Sequence, residues 1–514
     1  MKKQLRNLLI LSGVLVALLA LWLASARLPG RDESDETTAA STLTQMDLLT
    51  VDPAEVARIA VHNNHSDLTL LPERPQDASG EGIILWKLAE DQGFPISQAS
   101  LADLAEAALA ITYSEVIVDD PDDLAAFGLN RPASTISIVF SNGSSKTVEF
   151  GSNLSSGKGT YARISQDTRI YAVDSRFKDL SSQSLADLID LSQAIGGLKT
   201  TDLASMNFFR SADQLSLLTA IAPMDPEDPQ AGLSFNLTEP VARPGNTDTL
   251  TSLLNSILNL SAVRMVDLDA GDLARYGLSE PRYQFALGAL SGQEVVVSIG
   301  DNAGNGQYYV TSSALPAIMT VQADALTAVD LPLTDYVDRF VALMSIWKVS
   351  SVSLDLEGEQ HELVLSITEG QKVTDEDVVV TMDGQDAKIV SPTGESLFSS
   401  FYQKLIGIRI DGFDLAASPD GPVTSQIAYT LKPDLETQSG GKTLVIEFVT
   451  RDAYTDYVLI DGSYAGFYVN HRDVFTSGLV GQEGLLVAIS QLSYAIDHAV
   501  DGVFDTSKGY PATT

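Results

Sequence analysis

A ten-residue motif recurs along the chain and constrains its architecture more than any other feature. DLAAFGLNRP occupies residues 123–132 and returns as DLARYGLSEP at residues 272–281. A shorter copy, DLAASPDGP, occupies residues 414–422. The first two copies begin 149 residues apart and the third begins 142 residues later, a spacing typical of whole domains rather than of short solenoid repeats. The spacing predicts one folded unit used three times.

The motif itself predicts a rigid corner in the chain. Asp123 and Asp272 can accept the unpaired backbone N–H groups that open a helix, and Leu-Ala-x-aromatic then gives about one helical turn. Gly128 and Gly277 stand where a left-handed residue commonly ends such a turn. A proline closes each of these copies and prevents the helix from resuming. A structural role is therefore favoured over a functional one. The third copy lacks the Gly-Leu pair.

Between the copies, the hydrophobic pattern repeats in one order. Alternating apolar residues predict a β-hairpin at the start of each unit, at residues 55–61 with 67–71, 204–209 with 214–218, and 347–356 with 362–367. After a further strand, apolar residues at helical spacing predict a helix, at residues 97–111, 247–260 and 396–408. A short strand, the corner and a meander of strands with glycine-containing turns follow. Each unit is predicted to end in a helical tail, at residues 175–191, 325–341 and 484–500.

Strands dominate this order and the helices are segregated from them, which predicts an α+β fold of mostly antiparallel sheet. The predicted units are three tandem related modules at residues 47–196, 197–343 and 344–505, the third being divergent. Residues 506–514 are predicted to form a C-terminal tail.

The N-terminus predicts a membrane anchor. Lys2, Lys3 and Arg6 precede an uncharged, leucine-rich run within residues 1–26, and roughly 20 apolar residues span a bilayer. The basic flank predicts a cytoplasmic N-terminus and an extracytoplasmic body. Residues 24–26, Ala-Ser-Ala, also resemble a signal-peptidase site, so cleavage remains an alternative. The polar, acidic residues 27–46 are predicted to be a tether.

Composition excludes several classes of function. The formal net charge of −36 repels phosphate backbones and argues against nucleic-acid binding, but it is compatible with weak binding of divalent cations. The chain has no cysteine, which removes disulfides, thiolate metal sites and cysteine nucleophiles.

The motifs that suggest chemistry are all incomplete. Residues 441–443, Gly-Lys-Thr, lack the upstream glycine and the following helix of a phosphate-binding loop, and residues 304–306 lack the third glycine of a dinucleotide fingerprint. Residues 471–473, His-Arg-Asp, have none of the accompanying kinase motifs. His62 and His65 flank a predicted turn, where a zinc site would need further ligands. We therefore predict no catalytic, cofactor-binding or metal-binding residues.

Two acidic clusters are candidate calcium ligands, because calcium prefers grouped oxygen ligands. The first lies at the first corner and the second at the next corner, and they comprise Asp119, Asp120, Asp122 and Asp123, and Asp267, Asp269 and Asp272. Neither has the spacing of an EF-hand loop. Helix capping and surface charge are the favoured interpretation.

The N-terminal anchor, the copies of D-L-x-x-[FY]-G-L-x-x-P and the meanders resemble a bacterial family known as domain of unknown function 4340. The resemblance covers nearly the whole body, from about Asp47 to Val500. It implies an extracytoplasmic, membrane-anchored protein, often associated with ABC transport systems similar to those of gliding-motility machinery. The resemblance implies no enzymatic activity and no catalytic residues.

Three hypotheses about function follow. The first is a non-enzymatic, membrane-tethered extracytoplasmic accessory or scaffold protein, associated with the subunits of an ABC-type transport complex. The second is a cell-surface binding module for polysaccharide or peptide, which exposed aromatic residues would favour. Trp22 is assigned to the anchor, and Trp86 and Trp347 are assigned to strand cores, so none of the three tryptophans supports it. The third is a hydrolase with a site assembled from distant residues.

Overall fold

A computed structural model describes residues 45–74, 84–193, 197–228, 231–433, 441–474 and 484–510. The predicted anchor at residues 1–26 and all but the last two residues of the predicted tether lie outside this part of the chain. Within the described part, no helix combines the length and the apolar character that crossing a membrane requires.

Three antiparallel sheets of nine strands each form the body of the chain. The first consists of β1 (Met46–Thr50), β2 (Val56–Asn63), β3 (Asp67–Glu73), β4 (Leu85–Leu88), β5 (Ala110–Val118), β6 (Ser134–Phe140), β7 (Ser145–Asn153), β8 (Thr160–Ile164) and β9 (Ile170–Val173). The second consists of β10 (Leu203–Arg210), β11 (Leu215–Pro223), β12 (Leu233–Glu239), β13 (Arg243–Pro244), β14 (Ala262–Asp267), β15 (Tyr283–Ala289), β16 (Glu294–Gly304), β17 (Gln307–Ser312) and β18 (Ile318–Gln322). The third consists of β19 (Val349–Leu356), β20 (Glu359–Ser366), β21 (Val379–Met382), β22 (Gln385–Asp386), β23 (Ile410–Phe413), β24 (Val423–Leu431), β25 (Thr443–Thr450), β26 (Thr455–Ile460) and β27 (Ser463–Asn470).

Eight strands have the same spatial order in all three sheets. The orders are β4-β3-β2-β6-β7-β8-β9-β5, β12-β11-β10-β15-β16-β17-β18-β14 and β21-β20-β19-β24-β25-β26-β27-β23. The ninth strand is β1 beyond β5 in the first sheet, and β13 or β22 at the opposite edge of the others. Because this order does not follow the chain, its threefold recurrence supports the prediction of repeated sheet modules. The mostly antiparallel α+β fold is confirmed.

The helices are few. In each module one main helix leads into the fourth of the eight shared strands, which is β5, β14 or β23. The described α-helices are α1 (Gln98–Leu109), α2 (Ser175–Ser181), α3 (Leu185–Leu188), α4 (Thr247–Leu258), α5 (Leu333–Tyr336), α6 (Leu397–Ile406), α7 (His471–Val474) and α8 (Leu485–His498). The main helices α1, α4 and α6 begin after Ser97, Asn246 and Ser396, whose side chains each accept an N–H from three residues ahead. Buried apolar residues at helical spacing, such as Leu250 and Leu254 in α4, hold these helices in the core.

The predicted corner forms in the first two modules. Asp123 accepts the N–H of Ala125 before a 3-10 turn, and Gly128 ends that turn with φ of 71°. The second module repeats the arrangement, with Asp272 as the cap and Gly277 at φ 68°. The third copy has no helical turn; its segment after β23 is irregular. The corner is therefore a chain-turning device, as predicted, in two modules of three.

The tails that follow the meanders differ from the prediction. The first tail forms only the short helices α2 and α3, whereas α8 confirms the predicted third tail helix. The helix predicted over residues 325–341 is wrong, because α5 has four residues and the rest is irregular or extended. Pro332 immediately precedes α5, and the backbone beyond α5 bonds to another part of the module instead of continuing a helix.

This long-range pairing closes each of the first two modules, because the tail returns to the residues in front of its own main helix. Two backbone hydrogen bonds join equivalent positions, from Ser97 to Leu188 and from Asp190 to Pro95 in the first module, and from Asn246 to Tyr336 and from Asp338 to Pro244 in the second. In the third module the tail residue Val503 pairs instead with Val390.

In the first and third modules, the segment that leads into the module also covers the edge of the strand after the main helix, β5 or β23. In the first module β1 pairs with β5, and Val51 N–H donates to the carbonyl of Leu109. In the third, Val341 N–H donates to the carbonyl of Ile408. Leu109 and Ile408 each lie twelve residues after the cap of their main helix, so the two contacts are equivalent. Residues 339–341 thus end the second module and complete the third.

Gly128→Ala is expected to lower the free energy of unfolding by about 1–3 kcal/mol. Its φ is left-handed, and an added Cβ would lie 2.7 Å from the backbone N of Ser152. Gly143→Ala is the matched control, because Gly143 has φ of +87° but open space around it, so only the smaller left-handed penalty of about 1–2 kcal/mol applies. Urea unfolding followed by circular dichroism measures both, and equal losses would contradict the packing role of the corner.

Candidate functional site

A cleft of about 720 Å³ opens on the third module, a volume within the range of roughly 300–1,000 Å³ typical of small-molecule sites. Three segments form its walls: the residues that lead into β19, the loop between β20 and β21, and residues 394–406, which comprise the turn before α6 and one face of that helix. The lining residues are Met344, Ser345, Ile346, Trp347, Ile367, Gln371, Lys372, Val373, Thr374, Gly394, Glu395, Ser396, Ser399, Ser400, Tyr402, Gln403 and Ile406.

Residues 344–347, which lead into β19 and are called the entry segment below, contribute the aromatic surface of the cleft. Trp347 lies in a 3-10 turn, Ile346–Lys348, and remains 36% exposed. Its assignment to a strand core was wrong, because β19 begins only at Val349. Trp86, by contrast, is buried in the first core as predicted. An exposed indole beside a cleft is the feature that the binding-module hypothesis required.

The entry segment is held in place from below by α6. The hydroxyl of Tyr402 donates to the carbonyl of Met344 over 3.0 Å, and burial raises the pKa of Tyr402, so this hydroxyl remains a donor throughout the physiological pH range. Lys348 N–H also donates to the carbonyl of Ser345. The backbone on both sides of the indole is therefore fixed.

The loop wall is braced by its own side chains. The Gln371 amide oxygen accepts from the N–H of Thr368 and its nitrogen donates to Asp377. At the start of this loop, the ammonium of Lys432 donates to the carbonyl of Ile367, and burial lowers the pKa of Lys432. This wall therefore has a defined shape.

Three polar side chains of the cleft are uncommitted. Among the described residues, neither the ammonium of Lys372 nor the carboxylate of Glu395 has an ion-pair partner, and the amide of Gln403 has no hydrogen bond. They supply a positive donor, a negative acceptor and a group that does both. Combined with the indole, they suit a ligand that has both an apolar face and several hydroxyl or amide groups.

A second feature of the third module is a buried carboxylate paired with a partly exposed imidazole. Oδ2 of Asp456 lies 2.8 Å from Nδ1 of His471. Asp456 is 0% exposed, and burial raises the pKa of its carboxyl. Sequence analysis treated His471 only within a chance His-Arg-Asp tripeptide. It missed the pair because the two residues become neighbours through the pairing of β26 with β27.

The other histidines occupy local settings. Nδ1 of His62 contacts Asp67 at the first hairpin, and His361 pairs with Asp383 over 2.8 Å. Nδ1 of His498 lies 2.9 Å from the carbonyl of Tyr494 within α8.

Three members of the acidic clusters accept hydrogen bonds from residues close to them in the chain. Asp123 caps the first corner, Asp269 accepts the N–H of Gly271, and Asp267 accepts the hydroxyl of Tyr276. The described part of the chain holds no group of three or more His, Asp or Glu side chains arranged to bind a metal ion. Lys442 directly precedes β25, which begins at Thr443, and residues 304–306 lie where β16 turns into β17. The Gly-Lys-Thr and Gly-Asn-Gly motifs therefore belong to connections between paired strands.

Comparison with protein families identifies the class to which these modules belong. The family described as a domain of unknown function, DUF4340, matches residues 86–220 and 236–431, which is more than half of the chain. The first matched region runs from β4 of the first sheet to β11 of the second. The other matched region runs from β12 to the end of β24. The chain belongs to the DUF4340 family. Comparisons with curated proteins and with solved structures return no match.

Asp456→Asn is expected to gain stability relative to the unaltered protein more at pH 7 than at pH 4. The folded state favours protonated Asp456, so this group costs stability as the pH rises from the ordinary carboxyl pKa of about 3.9 through the raised value. Asparagine cannot ionise and removes that cost. Urea unfolding at the two pH values measures the difference.

Asp383→Asn is the control with the opposite sign. Partial burial opposes ionisation of Asp383, but hydrogen bonds from His361 and from the N–H of Glu362 lower its pKa overall. This group therefore contributes stability above the ordinary carboxyl pKa, and that contribution is lost as the pH falls. Its asparagine variant should lose more at pH 7 than at pH 4. The same pH trend in both variants would contradict these assignments.

Proposed function

We propose that the protein is a non-enzymatic, membrane-tethered extracytoplasmic scaffold that presents a row of sheet modules to subunits of an ABC-type transport complex. The observation that carries this proposal is the way in which consecutive modules are joined. Side chains pack across both junctions, and hydrogen bonds join the segment at the second. A scaffold must hold its binding surfaces at fixed positions.

The junction between the first and second modules is apolar. Phe94 and Ile96, which precede α1, pack against the cores of both modules, and Leu268, which follows β14, does the same from the other side. Such contacts resist hinge motion between the modules. They support a body in which the first two sheets move together.

The junction between the second and third modules centres on Arg243. Its guanidinium donates to the carbonyls of Phe340 and Val341, in residues 339–341, the shared segment of the two modules. Its Cζ atom also lies 4.8 Å from the ring centroid of Phe467 in the third sheet. Phe413 of β23 packs against both cores. One partly buried cation thus joins the edge strand pair of one module, β12 and β13, to the sheet of the next.

Membership of DUF4340 assigns no activity, so the partner class rests on the family resemblance and the membrane tether rests on residues 1–26. The extracytoplasmic location of the body follows from the basic residues in front of the anchor.

Affinity capture of the full-length protein from its native membranes tests the partner. Recovery of ABC permease or ATPase subunits with the tagged protein, and not with an unrelated single-pass bait, is the expected result. Repeated capture without any transporter subunit would contradict the proposed association, whatever else is recovered.

Arg243→Ala is expected to loosen the second junction without unfolding either module. The variant should be cleaved at residues 339–346 several-fold faster by a low concentration of protease, because the shared segment loses two hydrogen bonds and a cation–π contact of about 1 kcal/mol. Arg282→Ala is the control, because Arg282 lies over Tyr308 within one module. Mass spectrometry of the fragments identifies the cut. Similar cleavage rates in both variants would count against a locked junction.

A second candidate function is the binding of polysaccharide or peptide. The exposed Trp347 at the cleft favours it, and a scaffold can carry such a site without conflict with the first proposal.

A further inference from the structure

We propose that the cleft beside Trp347 binds a neutral oligosaccharide. This inference deepens the second candidate function and rests on it, but it is independent of any ABC partner. Four observations carry it: the aromatic surface, the position of that surface in the repeat, the uncommitted polar groups, and the state of the backbone in the walls.

The indole of Trp347 is a partly exposed aromatic platform on a braced backbone. Hexose rings have one face made mainly of C–H groups, and such a face packs on a flat aromatic ring while the hydroxyls project around the edge. The hydrogen bond from Tyr402 to Met344 and the buried start of β19 at Val349 fix the backbone on either side. Little backbone conformational entropy therefore remains to be lost when a ligand stacks on this surface.

The platform is an addition to the repeated unit. A 3-10 turn precedes the first hairpin strand in every module: Pro53–Glu55, Thr200–Asp202 and Ile346–Lys348. The middle residue of this turn is Ala54 in the first module, Thr201 in the second and Trp347 in the third. The third module therefore carries an aromatic side chain in the cleft where the other two modules carry small residues.

The uncommitted polar side chains match hydroxyl groups. Each sugar hydroxyl can donate one hydrogen bond and accept others. Lys372 donates, Glu395 accepts and Gln403 does both, so the cleft offers both kinds of partner that hydroxyl groups need. The opposite charges of Lys372 and Glu395 leave the cleft without a local excess of either sign, and the net charge of −36 disfavours an acidic polysaccharide.

A peptide strand is bound mainly through unpaired backbone groups. In the loop and helix walls of the cleft, the backbone N–H groups of Gln371, Lys372, Ser399 and Ser400 are all bonded within the protein. Recognition at these two walls therefore falls to side chains, as it does for saccharides.

Titration of the full-length protein with cellotetraose, maltotetraose and N-acetylchitotetraose tests the proposal, in a detergent that has no sugar headgroup. Calorimetry gives the affinity and tryptophan emission reports the environment of the indole. At least one saccharide is expected to bind with a dissociation constant below about 1 mM and to change the emission.

Trp347→Ala should weaken that binding by about ten-fold or more and abolish the emission change, although Trp22 and Trp86 remain. Gln403→Ala should weaken it by a smaller factor. Leu343→Ala is the matched control, because Leu343 is 59% exposed just outside the lining, and its affinity should be unchanged. Far-ultraviolet circular dichroism and the melting temperature check that each variant is folded.

Absence of binding by all three saccharides at about 10 mM would overturn the proposal. So would saccharide binding that Trp347→Ala leaves intact, or binding of tetrapeptides from a random library in the absence of saccharide binding. Each of these results leaves capture of transporter subunits unaffected, so the failure of this inference and the failure of the proposed scaffold are distinguishable.

Discussion

The backbone pairing that returns each tail to the front of its own main helix is the constraint on which the rest of the chain depends. In the first two modules it fixes the last residues of one sheet unit beside the cap of α1 or α4, and it thereby aims the chain at the next module. Residues 339–341, directly after the second closure, then cover the edge of β23, the fourth of the eight shared strands in the third sheet. Buried backbone groups must be paired, so neither partner of this closure can move without exposing the other.

Sequence patterns predicted the elements that are decided locally. Hairpins follow from alternation, main helices from apolar spacing after Ser97, Asn246 and Ser396, and the corners from Asp and Gly at fixed offsets. The tail over residues 325–341 was mispredicted because its conformation is decided by hydrogen bonds to residues about 90 positions earlier. The exposed position of Trp347 was not predicted, because WKVSS alternates between apolar and polar residues as a strand does. Comparison with Ala54 and Thr201, at the same position of the other two modules, was the available sign that Trp347 is not a core residue. No local pattern could have paired Asp456 with His471.

The divergence of the third module is coordinated rather than random. In the first two modules the corner rests on a glycine of the second meander strand, since a Cβ on Gly151 or Gly300 would meet the carbonyl of Phe127 or Tyr276. The sheet register places Val449 at the same position of the third sheet, where it is buried. The third corner has lost both its Gly-Leu pair and its helical turn. The receiving surface and the element that it received changed together.

Residues 339–341 belong to two modules at once, and this limits how the chain can be divided. A chain cut between residues 343 and 344, where the sequence repeat suggests a boundary, would deprive β23 of the backbone partners that cover its edge. An uncovered strand edge invites pairing with other molecules, so the freed third unit would tend to self-associate. A gene rearrangement that adds or removes the third module therefore has to include residues 339–341 together with it.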